Sequence, residues 1–155
     1  MKINKYQTYL NKESKLNTLI KESEHEYGES FLRSPTLITN MLNTCYKLAD
    51  RAEEYLYMIA FDTQFQVLGV FEVSHGVVNS TMASPRELFV RALLCGAANI
   101  VLAHNHPSGV LTPSEDDINL TNRVRDCGNL LSIKLVDHLI LGNDNHVSLK
   151  EMRYL

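Results

Sequence analysis

The chain has 155 residues, a formal net charge of −3 and 45% hydrophobic residues, which suits a single globular domain large enough for a sizeable core. A small negative charge offers no broad basic field to attract a phosphate backbone, so nucleic acid is a weak default partner. No apolar run, 100–103 and 139–141 among them, is long enough to cross a bilayer, and the opening MKINKYQTYLNKESK lacks a signal peptide's apolar centre; a cytoplasmic address away from membranes is expected. Three cysteines, Cys45, Cys95 and Cys127, are widely spaced with no C-x-x-C, which favours reduced thiols over a disulfide framework or a thiolate zinc site.

Residues 1–33 are polar and charged, with apolar positions at Leu10, Leu16, Leu19 and Ile20, a pattern that predicts an N-terminal helical arm ahead of a domain spanning 34–155. Ser34-Pro35 is an N-cap followed by proline in the first turn. Ile38, Met41, Leu42, Cys45, Leu48 and Ala49 follow at helical spacing, predicting an amphipathic helix over 35–51. Residues 54–61 and 67–73 are aromatic-rich and apolar around Asp62-Thr63-Gln64, a buried hairpin, and a third strand is expected at 76–78. Ser84-Pro85-Arg86-Glu87 reads as a capping box opening a helix to about residue 97. A short buried strand follows at 99–103. A second box, Thr112-Pro113-Ser114-Glu115, opens a helix expected to run to Cys127 and stop at Gly128. A strand at 133–141 and a last one at 146–149 complete an α/β fold, a mixed sheet flanked by helices.

The chemistry concentrates in HNHPSGVLTPSEDD, residues 104–117. In extended backbone His104 and His106 point to the same side, so two imidazoles can reach one ion from a strand end. Pro107-Ser108-Gly109 turns the chain away, and the following helix carries Asp117 in its first turn with Ser114 three residues before it. Two neutral imidazoles and one carboxylate suit zinc, with manganese or iron as alternatives, and three protein ligands with the fourth position left to water is the catalytic arrangement. The bland alternatives are that an isolated H-x-H pair is incidental, and that Ser114, Asp116 and Asp117 only cap the helix and complement its dipole.

His104-x-His106, seven intervening residues, then Ser114-x-x-Asp117 resembles the JAMM motif of the JAB/MPN metallopeptidase superfamily. HNHPSG, PSEDD, Thr121, Asp137-His138-Leu-Ile and Pro85-Arg86-Glu87 are similar to its RadC branch, over roughly residues 34–150. The resemblance implies the MPN fold, which is laid out like cytidine deaminases, and a Zn2+ held by His104, His106 and Asp117. The deaminases themselves require H-x-E and P-C-x-x-C, and this chain has neither. The superfamily places a glutamate at the start of the first sheet strand. Glu54 matches that position as the proton carrier, with Glu53 as the fallback and a solvated pair at a helix–strand junction as the bland reading. Ser114 would donate a hydrogen bond to the oxyanion of an acyl-transfer intermediate. By alternation Asn105 points away from the histidines and is expected to brace the turn. His138, on a buried strand, is expected to be a satisfied core group or to orient a ligand by hydrogen bonding, and His25, His75 and His146 to be surface groups.

The activity this implies is a metal-dependent hydrolase, a metallopeptidase or isopeptidase acting on a peptide or isopeptide-linked protein. Two alternatives belong to other classes: a RadC-like accessory protein of DNA repair or mobile elements that binds DNA, and an inactive module in which metal only ties helix to strand. The segment before the domain shows no G-x-G hairpin, which weakens the DNA reading, and Ser74-His75-Gly76-Val77 departs from the branch's more usual Ser-x-Gly-Thr. Substrate identity and oligomeric state are left open by the sequence.

Overall fold

A computed structural model describes residues 1–76 and 83–155. One seven-stranded mixed sheet runs through the molecule in the order β2-β1-β4-β3-β5-β6-β7. Its strands are β1 (Lys2–Leu10), β2 (Asn17–Glu26), β3 (Glu54–Phe61), β4 (Val67–Gly76), β5 (Asn99–Asn105), β6 (Lys134–Gly142) and β7 (Asn145–Ser148). The central hairpin β3–β4 is antiparallel, β3 also pairs antiparallel with β5, and β5 and β6 run parallel. Three helices cover the faces: α1 (Pro35–Tyr46), α2 (Pro85–Leu94) and α3 (Glu115–Leu131).

Alternation along the strands splits the core into two layers. Tyr57, Ile59 and Phe61 of β3, with Val101 and Ala103 of β5, pack against Ile38, Met41 and Leu42 of α1. Leu56, Met58 and Ala60, with Ile100 and Leu102, pack against Leu88, Phe89 and Ala92 of α2 and Val124 of α3. Both faces of β3 and β5 are therefore buried, which is why these segments read as continuous apolar runs rather than as alternating ones. One irregularity positions the site. Ile100 pairs with Leu135, but Val101 pairs with Asp137, so β6 carries an extra residue there. Such a bulge reverses the facing of everything downstream, and it places His138 beside Leu102 on the α3 side.

The N-terminal segment is where sequence and structure part. Residues 1–33 were expected to be helical; instead β1 and β2 form an antiparallel hairpin, and β1 joins the sheet parallel to β4 at Lys5–Val70. The leucine spacing misled, whereas Ile3, Tyr6, Thr8 and Tyr9 are strand formers and Asn11-Lys12-Glu13-Ser14-Lys15 is a turn. The Asn11 side chain accepts from the Glu13 and Ser14 amides, and Lys15 takes a positive φ of 59°.

Smaller differences have local causes. Helix α1 stops at Tyr46 because Lys47 is left-handed, and a single 3₁₀ turn, Leu48–Asp50, follows. Ser84 caps α2 by accepting from the Arg86 amide, while Glu87 pairs with Arg86 and Arg91 instead of closing a box. The box of α3 lies two residues later than expected, at Ser114 and Asp117. Nor does Gly128 stop α3: the helix continues to Leu131 and ends at left-handed Ser132. A Cβ on Gly128 would collide with the Ile133 carbonyl, so this glycine serves close packing against the chain entering β6. Of the strand expected at 76–78, Gly76 closes β4 and residues 77 and 78 lie outside the described residues. All three cysteines are free and partly buried.

Candidate metal centre

Strand β5 delivers His104 to the α3 side of the sheet at its C-terminal end, where Leu56 is its neighbour on β3. The chain then leaves the sheet. The His106 amide donates to the Leu141 carbonyl at 2.7 Å, and the Gly109 amide returns to the His106 carbonyl at 2.9 Å. Gly109 has φ 77°, and a Cβ there would run into the Asn143 side chain, so the turn is both left-handed and packed against the β6–β7 connection. This folds the chain back to Ser114, the N-cap of α3. The capping box is reciprocal: the Asp117 amide donates to Ser114 Oγ at 3.1 Å, and the Ser114 amide donates to Asp117 Oδ2 at 2.8 Å.

His104, His106 and Asp117 thereby converge. His104 Nε2 lies 2.9 Å from His106 Nε2 and 3.1 Å from Asp117 Oδ1, and His106 Nε2 lies 3.5 Å from Asp117 Oδ2. Among the described residues they form the group of His, Cys, Asp and Glu side chains able to hold a metal ion. His106 Nδ1 faces the Val110 carbonyl at 2.6 Å. A carbonyl only accepts, so Nδ1 carries the hydrogen and Nε2 is turned to the cluster as a lone pair or a proton site. The donor set passes a simple test of fit. Two imidazole nitrogens and a carboxylate oxygen are donors that zinc takes, and with one ligand atom from each residue the set lies within 4.8 Å.

The electrostatics are those of a tightly coupled cluster. Burial by itself would raise the Asp117 carboxyl, but hydrogen bonds with the His104 and His106 rings outweigh it and hold Asp117 well below the usual carboxylate range. The hydrogen bond with Asp117 in turn raises His106, against burial. Glu54 is half-buried at the first position of β3, on the same side as Leu56 and His104. Burial pushes its carboxyl upward; the fields of His104 and His106 pull it down and that of Asp117 pushes it up, so Glu54 stands within electrostatic reach of all three. Glu53 is exposed.

The remaining expected residues fall as follows. Ser114 Oγ donates to Asp117 Oδ2 at 2.7 Å while accepting from the Asp117 amide, so its hydroxyl is occupied in holding the carboxylate. Asn105 is fully buried on the α1 side, and it braces the entry to β3 rather than the histidine turn: Oδ1 accepts from the Tyr55 amide at 2.8 Å, and Nδ2 donates to the Arg51 and Glu53 carbonyls. His138 is fully buried, with Nε2 2.9 Å from His104 Nδ1 and Nδ1 2.7 Å from Thr121 Oγ1. Burial holds its pKa far below the usual imidazole range, so it is neutral. The contact to Thr121 was not foreseen, although Thr121 stands one helical turn after Asp117. His75 is exposed and stacks on Tyr55, His25 lies edge-on to Tyr46, and His146 is partly buried near Thr39.

A family model, the RadC-like JAB domain, matches residues 32–154. The chain belongs to the RadC-like JAB domain family. It is similar to a UPF0758 protein of Clostridium tetani (strain Massachusetts / E88), with 42% identity over 118 residues covering 74% of this chain and 52% of that protein. A UPF0758 protein of Clostridium novyi (strain NT) is 48% identical over 103 residues, covering 66% and 45%. One of Latilactobacillus sakei subsp. sakei (strain 23K) is 43% identical over 108 residues, covering 70% and 48%. The chain thus spans about half the length of the curated relatives it matches. The matched segment takes in the whole histidine–aspartate cluster, α1 to β7, while β1 and β2 precede it. Among the described residues no helix is long and apolar enough to cross a membrane.

Proposed function

We propose that this RadC-like JAB domain is a zinc-dependent hydrolase that cleaves an amide bond, in a linear peptide or an isopeptide-linked protein, with His104, His106 and Asp117 as the metal ligands. The observation that carries the reading is the convergence of two imidazole nitrogens and a carboxylate within 2.9–3.5 Å of one another, at a strand end with a half-buried glutamate beside it. His104, His106 and Asp117 would hold the ion, which when bound would supply Lewis-acid activation of the attacking water.

The protein's own groups supply the rest. Glu54 is the proton carrier: its carboxyl, biased upward by burial, takes a proton from the attacking water and returns it to the leaving amine. Asn105 fixes the backbone on both sides of Glu54, so the carboxyl is held at the site by the strand that bears His104. Ser114 holds Asp117 in place through its hydroxyl, and on turning toward substrate the same hydroxyl would donate to a developing oxyanion.

The test combines metal content with turnover. Purified protein should contain close to one zinc per chain under metal-replete conditions, and His104→Ala should abolish it. Against a panel of linear and isopeptide-linked peptides, Glu54→Gln should keep its zinc and lose hydrolysis by roughly 10²- to 10⁴-fold, the usual worth of a positioned acid–base group. Zinc far below stoichiometry, or hydrolysis unchanged in Glu54→Gln, overturns the reading. Zinc bound at full occupancy with no cleavage by either form would favour a metal-stabilised interaction module.

A further inference from the structure

The two histidines of the cluster have their outer nitrogens anchored differently. His106 Nδ1 meets a carbonyl, which dictates its hydrogen. His104 Nδ1 meets another imidazole, His138 Nε2, at 2.9 Å, and an imidazole nitrogen can donate or accept. What settles the direction lies further along. His138 Nδ1 is 2.7 Å from Thr121 Oγ1, and Thr121 Oγ1 is 2.7 Å from the Asp117 backbone carbonyl. These contacts form one buried chain, with His138 and Thr121 fully excluded from solvent.

Counting protons fixes the polarity. The Asp117 carbonyl only accepts, and the Thr121 hydroxyl has one hydrogen to give. If Thr121 donates to Asp117, its oxygen accepts from His138 Nδ1–H. His138 Nε2 is then bare and accepts from His104 Nδ1–H, which leaves His104 Nε2 as the nitrogen directed at His106 and Asp117, its hydrogen given up only where an ion replaces it. All three contacts are filled. The opposite polarity leaves Thr121 Oγ1 and the Asp117 carbonyl 2.7 Å apart with no hydrogen between them, and it keeps a hydrogen on His104 Nε2, where an ion would have to bind.

We infer that Thr121 and His138 are positioning residues that hold His104 in the tautomer able to ligate a metal through Nε2. The chain starts at the backbone carbonyl of Asp117, itself one of the proposed ligands. It passes through α3 and β6 to His104 on β5, so two ligands from different elements are locked to one another on the side away from the ion. The bulge in β6 is what brings His138 to this face. The inference rests on the metal reading above for its consequence, while the tautomer of His138 is readable without metal.

Two measurements test it. Nitrogen-15 NMR of the metal-free chain should show His138 protonated at Nδ1 and bare at Nε2, and Thr121→Val, which keeps the side-chain volume and removes the hydroxyl, should disturb that state. Competition for zinc against a chromophoric chelator should show affinity roughly 10- to 100-fold weaker in Thr121→Val, the usual consequence of losing a group that orients a metal-bound histidine. Thr121→Ser should restore both readouts, which a role limited to packing volume would not produce. Wild-type His138 protonated at Nε2, or zinc affinity unchanged in Thr121→Val, overturns the inference. If the wild type takes up no zinc at all, the proposed function fails, and the NMR measurement alone decides the chain's polarity.

Discussion

Asn105 makes three hydrogen bonds with its side chain, and all of them reach the segment that carries Glu54. Its neighbours His104 and His106 face the other side of the strand, so a single tripeptide serves the histidine–aspartate cluster with its outer members and the Glu54 segment with its middle one. Asn105→Ala removes bonds worth about 1 kcal/mol each and leaves the Tyr55 amide and the part-buried Arg51 and Glu53 carbonyls without these partners. The expected outcome is a loss of roughly 2–4 kcal/mol in urea unfolding, with zinc stoichiometry kept and hydrolysis reduced because Glu54 is no longer held. Zinc lost together with stability would mean that Asn105 supports the cluster itself. The side of the strand taken by Asn105 was legible by alternation; its partners were not, because they stand 50 to 54 residues earlier in the chain.

At the scale of elements, the starts of α1 and α2 were legible because Ser34 and Ser84 each satisfy an otherwise unpaired amide, and this is local chemistry; the cap of α3 is Ser114, two residues beyond the expected Thr112. Helix ends were less so. Lys47 and Ser132 take left-handed conformations without being glycine, whereas Gly128, which looks like a stop, lies inside α3. Its role gives a signed prediction. Gly128→Ala improves intrinsic helix propensity by about 1 kcal/mol, yet the new methyl meets the Ile133 carbonyl, whose own residue donates its amide to the Gly128 carbonyl at 2.9 Å. That backbone cannot retreat without breaking the entry to β6, so overpacking of about 1–3 kcal/mol should win. A lower urea midpoint is expected; a higher one would show that the α3–β6 junction is soft.

For the whole molecule, the question is whether the β1–β2 hairpin is an appendage or part of the fold. Ile3 is fully buried in the α1-side core. Tyr6 packs over Gly69 and beside Phe71, and Lys5 Nζ reaches Glu72 at 2.8 Å and Glu22 at 3.0 Å. The outer strand β2 is lined with Lys21, Glu22, Glu24 and Glu26, charges that discourage edge-to-edge pairing. Ile3→Ala should therefore cost about 2–5 kcal/mol, as deletion of a large core side chain does, and leave zinc content unchanged because the cluster lies on the opposite face. A change within about 0.5 kcal/mol, typical of surface positions, would show that the hairpin is only loosely attached.

The nearness of His104, His106 and Asp117 was readable from the sequence because the information is short-range. Two residues apart in a strand and one turn into a capped helix are distances that backbone geometry alone converts into a shared face, and HNHPSG followed by PSEDD contains both. The N-terminal hairpin was not readable: its strands depend on β4 for their apolar partners, and tertiary contacts override weak local preference in such segments. The facing of His138 depended on still less local information. By simple alternation from Leu135 it would point to the α1 side, with Asp137 toward the cluster. One additional residue in β6, accommodated only because β5 lies alongside, exchanges the two and completes the chain from Thr121 to His104.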